Sequence, residues 1–229
     1  MNLIFTCGGT AGHINPALAV ANMMRQRHPD CKILFIGAQG HMEEKLVPQA
    51  GYELKTLPGS GLSRKLNAQG IRQNVHAVKC VLDAVKECKR IFREFQPDVI
   101  IGTGGYASFP ALYAGSSMKI PVCVHESNAV PGVTTKLASK LADRVLVCFE
   151  ESKKMYPNPD KVEVVGMPVR QEFLYGDRQK ARAELGIGDE PMVLSAFGSL
   201  GAKVMNQTVA ELFRMEQEEG FPFRHVHAT

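Results

Sequence analysis

Residues 2–21 read NLIFTCGGTAGHINPALAVA: a short apolar run, a turn carrying Gly8, Gly9 and Gly12, and then a stretch suited to a helix. LIFT has the apolar continuity of a strand buried on both faces. The glycines let the backbone pass close to a phosphate. Asn15 suits the cap of the following helix, and Pro16 its first position. Strand, glycine turn and helix in that order open a parallel α/β sheet, and the rest of the chain repeats the unit.

KILFIG reads as a second strand, MEEKLVPQAG as a short helix stopped at Gly51, and YELKTLP as a third strand. From Gln73 to Phe95, Val75, Val78, Leu82, Val85 and Phe92 recur mostly at three- and four-residue steps, the period of a long amphipathic helix. DVIIGTGG, PVCVHE and RVLVCF continue as strands, with FPALYAGSSMK and GVTTKLASKLA as helices between them. Strict alternation with apolar strands predicts a mainly parallel sheet covered on both faces, with ligands beyond the carboxyl ends of its strands.

The pattern loosens after Phe149, and VEVVGMPVRQEF breaks at Gly166-Met167-Pro168. The expected division is therefore a first domain over 1–163 and a second over 164–229. The second holds a helix (ARAELGI), a strand (MVLSAFG), a helix (SLGAKVMNQTVAELFRMEQ) and the strand FRHVHAT. Its residues are too few for a stable α/β core of their own. The expectation is that the chain is truncated or that another polypeptide completes it.

Composition narrows the function. With 45% hydrophobic and 22% charged residues the chain can bury a globular core. No apolar run reaches membrane-spanning length, and LIFT is too short for a signal peptide, so a cytosolic setting is expected. The six cysteines, Cys7, Cys31, Cys80, Cys88, Cys123 and Cys148, form no C-x-x-C pair and read as reduced thiols. The net charge of +4 is too mild to argue for nucleic acid, and no aromatic–basic RNA motif is present. Residues 61–95 hold eight basic against three acidic side chains, a net +5, so the remainder sums to −1.

Three turns share one plan: FTCGGTAGHINPA, IIGTGGYASFPA and LSAFGSLGAKVMN. Each sets backbone N–H groups and a helix N-terminus at a strand end, which favours an anion. Facing one another across an expected inter-domain cleft, three such turns exceed what tight turning alone requires. A nicotinamide oxidoreductase is disfavoured. The first turn is G-G-x-x-G, not G-x-G-x-x-G, and KILFIGAQG offers no acid to hold a ribose.

GGTAGHINPALAVA, TGGYASFPA, HESNAVPG, VGMPVR and FGSLGAKVMNQ, in this order and along all 229 residues, resemble the MurG family. These are the UDP-N-acetylglucosamine transferases that convert lipid I into lipid II in peptidoglycan synthesis. The resemblance implies a glycosyltransferase B fold: a Rossmann-like N-terminal domain on the acceptor and membrane side, and an incomplete second Rossmann-like domain for the donor. It implies that relatives continue well past Thr229. The implied reaction is inverting transfer of GlcNAc from UDP-GlcNAc to the 4-hydroxyl of MurNAc in lipid I, at the cytoplasmic face of the membrane. No D-x-D metal signature occurs, so helix N-termini and hydrogen-bond donors are expected to stabilise UDP without metal or cofactor.

By the same resemblance Thr10, Ala11 and Gly12 lie near the donor sugar and diphosphate, Asn128 binds GlcNAc, and Arg170 and Ser199 contact UDP. Phe197 stands where the family's third turn usually has glycine. His13 is the first candidate base, since imidazole titrates near neutrality. A bond that merely holds the loop or a phosphate suits it equally. Glu126 is the rival base, or a structural carboxylate that orients HESN. Gly104, Gly105 and Tyr106 form the acceptor or phosphate loop, with Tyr106 either touching acceptor or packing. His125 is expected to satisfy backbone, while His225 and His227 alternate on a strand and need no functional account.

Arg72, Lys79, Lys86 and Arg93 recur every seven residues. With Arg64, Lys65 and nearby Leu62, Leu66 and Ile71 they suit docking to an anionic membrane, although charge stripes commonly mark a solvated helix face. The competing reading of another class is a membrane-associated module that holds lipid I while a partner chain supplies the donor domain. Without most of the donor site, this chain is expected to be inactive alone.

Overall fold

The structure, a computed structural model, describes residues 1–58, 68–198, 202–220 and 223–228, and not the side chains of 68–76. The chain divides into two compact units, 1–170 and 171–229.

The first unit is built on β1 (Asn2–Thr6), β2 (Lys32–Ala38), β3 (Glu53–Leu57), β4 (Val99–Gly102), β5 (Val122–Glu126), β6 (Arg144–Val147) and β7 (Val162–Val164). They form one sheet in the order β3-β2-β1-β4-β5-β6-β7, with every pairing parallel. The chain runs outward from β1 to β3, then returns to start β4 on the other side of β1. Two neighbouring strands thus send their connections to opposite sides, and a crevice opens above their carboxyl ends. The first and second glycine turns leave β1 and β4, so this topology sets them side by side.

Helices α1 (Ala11–Arg27) and α2 (Glu43–Gln49) pack with Leu3, Phe5 and Phe35 in one core cluster. The cluster around Ile4, Ile36, Ile100, Val122 and Val145 takes in α3 (Ala68–Phe95), α4 (Ser108–Ser117) and α5 (Val133–Ser139). The alternation Leu3/Phe5 against Ile4 is the two-residue period of a strand serving two cores. Among the described residues, no helix is long and apolar enough to cross a membrane.

Three sequence expectations are refined. Helix α1 starts at Ala11, not after Asn15, because the Thr10 carbonyl already accepts the His13 and Ile14 amides, at 3.0 and 3.2 Å. Pro16 therefore lies inside the helix, and the carbonyl that its missing N–H leaves free belongs to solvent-exposed Gly12. Val78 and Leu82 of α3 stay outside the core, at 55% and 58% exposure; Ala77, Ala84, Val85, Cys88, Ile91 and Phe92 turn inward instead. The 163/164 division falls inside β7, whose Val162 and Val164 pair with Val145 and Val147.

The second unit holds α6 (Gln171–Tyr175), α7 (Arg178–Glu184), β8 (Met192–Ala196), α8 (Lys203–Glu219) and β9 (Arg224–Ala228). Strands β8 and β9 pair in parallel, and Leu194 and Val226 remain exposed on them. Cys7 and Cys88 are buried, the other four cysteines are partly buried, and none of the six forms a disulfide.

Candidate active site

The first turn leaves the buried Thr6 and Cys7, bends at Gly9 with φ +87°, and enters α1 through Thr10 in extended conformation. Thr10 and Gly12 are exposed and Ala11 half-buried, so the three residues expected near the donor form the N-terminal rim of a 17-residue helix. That rim combines backbone N–H groups with the positive end of the helix dipole. One turn into α1, His13 folds back, and its Nδ1 lies 3.0 Å from the Gly8 carbonyl oxygen. A carbonyl only accepts, so in the neutral ring Nδ1 carries the hydrogen and Nε2 keeps its lone pair. The Thr10 hydroxyl lies 3.3 Å from the same Nδ1.

The second turn locks onto the first. The Thr103 hydroxyl donates to the His13 carbonyl at 2.6 Å. Gly104, at φ +106°, lies against the imidazole so closely that a Cβ there would stand 2.7 Å from His13 Cδ2. Gly105, at φ +84°, lies against the first turn itself: its Cβ would stand 2.2 Å from the Gly8 carbonyl oxygen. Beyond them Tyr106, 39% exposed, places its hydroxyl 2.6 Å from His41 Nε2, with the rings edge to face. Burial, and then the negative charge of Glu43, push the Tyr106 hydroxyl above its ordinary pKa.

The HESN turn follows β5 and is organised by Glu126, a carboxylate only 3% exposed. Its Oε1 accepts the Asn128 backbone and side-chain amides at 2.9 and 2.8 Å, and its Oε2 accepts the Gly132 amide at 3.1 Å. Burial raises its pKa, but these bonds and one from the Thr135 hydroxyl outweigh it and hold the group below the usual carboxylate range. All these donors come from the stretch that follows Glu126. A carboxylate so committed sets the shape of the turn and the direction of Asn128. Next to it His125 is buried, and its Nε2 donates to the Gly166 carbonyl at 3.2 Å.

Of the other expected site residues, Arg170 is exposed at the end of the first unit, and Lys79 is exposed on α3. Ser199, Arg64 and Lys65 lie outside the described residues, as does the Arg72 side chain. The third turn is described up to Phe197 and Gly198, the latter at φ +91°. His41, Glu43 and Thr103 are the contributors that sequence reasoning missed. Only the position of Thr103 beside a glycine pair carried a signal; MEEK reads as an ordinary acidic helix start.

In the second unit His225 and His227 do take part in a polar cluster. Ser195 Oγ lies 3.0 Å from His225 Nε2 and 2.8 Å from His227 Nδ1, while Glu216 and Asn206 hold the far nitrogens of the two rings. The hydroxyl is shared between two imidazoles beside α8, an arrangement that ties helix to strands.

Comparison with known proteins agrees with this fold. The family described as Glycosyltransferase family 28 N-terminal domain matches residues 3–147. The UDP-N-acetylglucosamine–N-acetylmuramyl-(pentapeptide) pyrophosphoryl-undecaprenol N-acetylglucosamine transferase of Acetivibrio thermocellus is 43% identical over all of this chain and 61% of its own length. Its counterpart in Clostridioides difficile is 39% identical over 97% of this chain and 54% of its own length. The crystal structure of Acinetobacter baumannii MurG superposes with a TM-score of 0.65 at 27% identity, covering 90% of this chain and 55% of that one. The chain thus spans little more than half the length of the proteins it matches.

Proposed function

The chain belongs to glycosyltransferase family 28, and from that premise we propose that it is the acceptor-side part of an inverting GlcNAc transferase acting on UDP-GlcNAc and lipid I. One observation carries the reading: two glycine turns interlock at the β1/β4 switch point around an imidazole whose Nδ1 is tied to backbone and whose Nε2 keeps a lone pair. In the proposed step, His13 Nε2 takes the proton of the MurNAc 4-hydroxyl as that oxygen attacks the anomeric carbon of GlcNAc. The bond from that carbon to the β-phosphate oxygen breaks, UDP leaves with the electron pair, and the configuration inverts. Thr10, Ala11 and Gly12 offer the helix N-terminus to the developing diphosphate charge, Asn128 holds the sugar, and Arg170 adds a cation for the phosphates. Glu126 serves by fixing Asn128.

The exposed face of α3 fits an acceptor that lives in a membrane. Val78 and Leu82 share this outer face with Lys79 and Lys86, so apolar and basic groups are presented together. Docking to the cytoplasmic leaflet is the role proposed for it. Charge reversal at Arg72 and Lys79 should then weaken binding to anionic vesicles; unchanged binding refutes docking.

The test is transfer of radiolabelled UDP-GlcNAc to a lipid I analogue. The chain alone is compared with a version completed by the remaining C-terminal part of the Acetivibrio relative, each with and without His13→Ala. Transfer is expected only from the completed form, with kcat lower by about 10²- to 10⁴-fold in the variant. An undiminished rate in His13→Ala removes the assigned base. A second reading draws on the exposed Leu194 and Val226 of β8 and β9, which suit cover by another polypeptide. The chain would then be an acceptor-binding module, and co-purification with a separate donor-domain chain would favour it.

A further inference from the structure

Glu43 has no assigned role, yet it is fully buried beneath the first turn. Its Oε1 accepts the Ala38 amide at 2.9 Å, and its Oε2 accepts the Gly9 amide at 3.2 Å. Neighbouring glycines make room for it: a Cβ on Gly8 would stand 2.8 Å from Glu43 Oε1, and one on Gly37 would stand 2.6 Å from its Cγ. The Gly9 N–H and the Gly8 C=O belong to one peptide group. Glu43 holds the hydrogen end of that peptide and His13 Nδ1 the oxygen end.

We infer that Glu43 is a positioning residue for His13, acting through the Gly8–Gly9 peptide as a carboxylate–peptide–imidazole relay. A carboxylate on the N–H side draws the peptide dipole into line and makes the Gly8 oxygen a stronger acceptor, since hydrogen bonds in a chain polarise one another. The stronger acceptor selects the Nδ1–H tautomer, keeps the lone pair on Nε2, and stabilises the imidazolium that forms when Nε2 takes a proton. This is the service a carboxylate renders a histidine base by direct contact in hydrolase triads, performed here at one peptide's remove. The same bond also commits the Gly9 N–H, so an anion at this turn has to be met by the N-terminal amides of α1.

The role in turnover rests on the transferase reading; the tautomer does not. Two measurements therefore separate them. In the ¹⁵N-labelled 229-residue chain, the His13 ring nitrogens should show the neutral Nδ1–H tautomer, with the Gly9 and Ala38 amides protected from exchange. Glu43→Gln keeps size but has one acceptor oxygen in place of two, so it should release one of these amides and move the ring towards Nε2–H. In the completed transferase Glu43→Gln should lower kcat by about 10- to 100-fold, the size of the loss when the outer partner of a metal-bound histidine is removed, with the KM for UDP-GlcNAc within about twofold. A wild-type His13 in the Nε2–H form overturns the relay, even if the variant fails to fold. So does a variant whose tautomer and kcat match the parent, or one in which only KM changes. Absence of transfer from the completed wild type, with the Nδ1–H tautomer found, overturns the transferase reading and leaves the relay standing.

Discussion

A methyl group added at Gly105 would stand 2.2 Å from the Gly8 carbonyl oxygen and about 3 Å from the Gly8 carbonyl carbon and nitrogen. All three are backbone atoms, so the neighbour has no rotamer by which to yield. Gly9 provides the control. Its φ of +87° matches the +84° of Gly105, but nothing lies within 4 Å of its Cβ position. Alanine at either site carries the left-handed backbone cost of about 1 kcal/mol. At Gly105 the collision adds an overpacking term of about 2 kcal/mol. Gly9→Ala should thus lose about 1 kcal/mol of stability and Gly105→Ala about 3 kcal/mol. Urea titration of the 229-residue chain measures the totals. Amide exchange at Phe5 and Ile101, on β1 and β4, confines the reading to the first unit, since two units need not unfold together. Equal losses in the two variants would show that the turns do not interlock through the Gly8–Gly105 contact.

Acid should destabilise the first unit in two stages. Burial depresses the His125 pKa from its ordinary 6.5 despite the Gly166 carbonyl and the Glu126 charge, so the unfolded chain takes that proton first, and stability falls as pH drops below about 6.5. The Glu126 contribution is present above its ordinary 4.5 and is lost as pH falls further, through its lowered folded value. A Tm that stays flat between pH 7 and pH 5 would contradict the His125 assignment. Thiol chemistry gives an independent check: burial, with the Glu43 charge in support, pushes the Cys7 pKa up to about 12, and burial does the same for Cys88. Iodoacetamide at pH 8 should modify neither until urea unfolds the first unit, and modification in the folded chain would refute their burial.

The alternation of apolar strands with helices sufficed to read a parallel α/β sheet, because a strand buried on both faces must be apolar throughout and a βαβ connection needs a helix. GGTAGH, TGGY and HESN sufficed to mark a candidate site, since all three stretches lie at strand ends, where ligands of parallel α/β sheets bind. The inward face of α3 was beyond periodicity. Val78 and Leu82 fit a helical repeat as well as Ala84 and Cys88 do, and the packing partners chose between them. Glu126 had two readings in the sequence, and the geometry of its donors supports the structural one. Glu43 and His41 left no local signal, because their significance lies in contacts to Gly9 and Tyr106, 34 and 65 residues away in the chain. Sequence by itself determined the layers, the order of turns and the residue types at the site, all properties of short stretches and their period. Only the tertiary structure decided which carboxylate holds which loop, because a buried charge takes its partners from whatever backbone the fold brings to it.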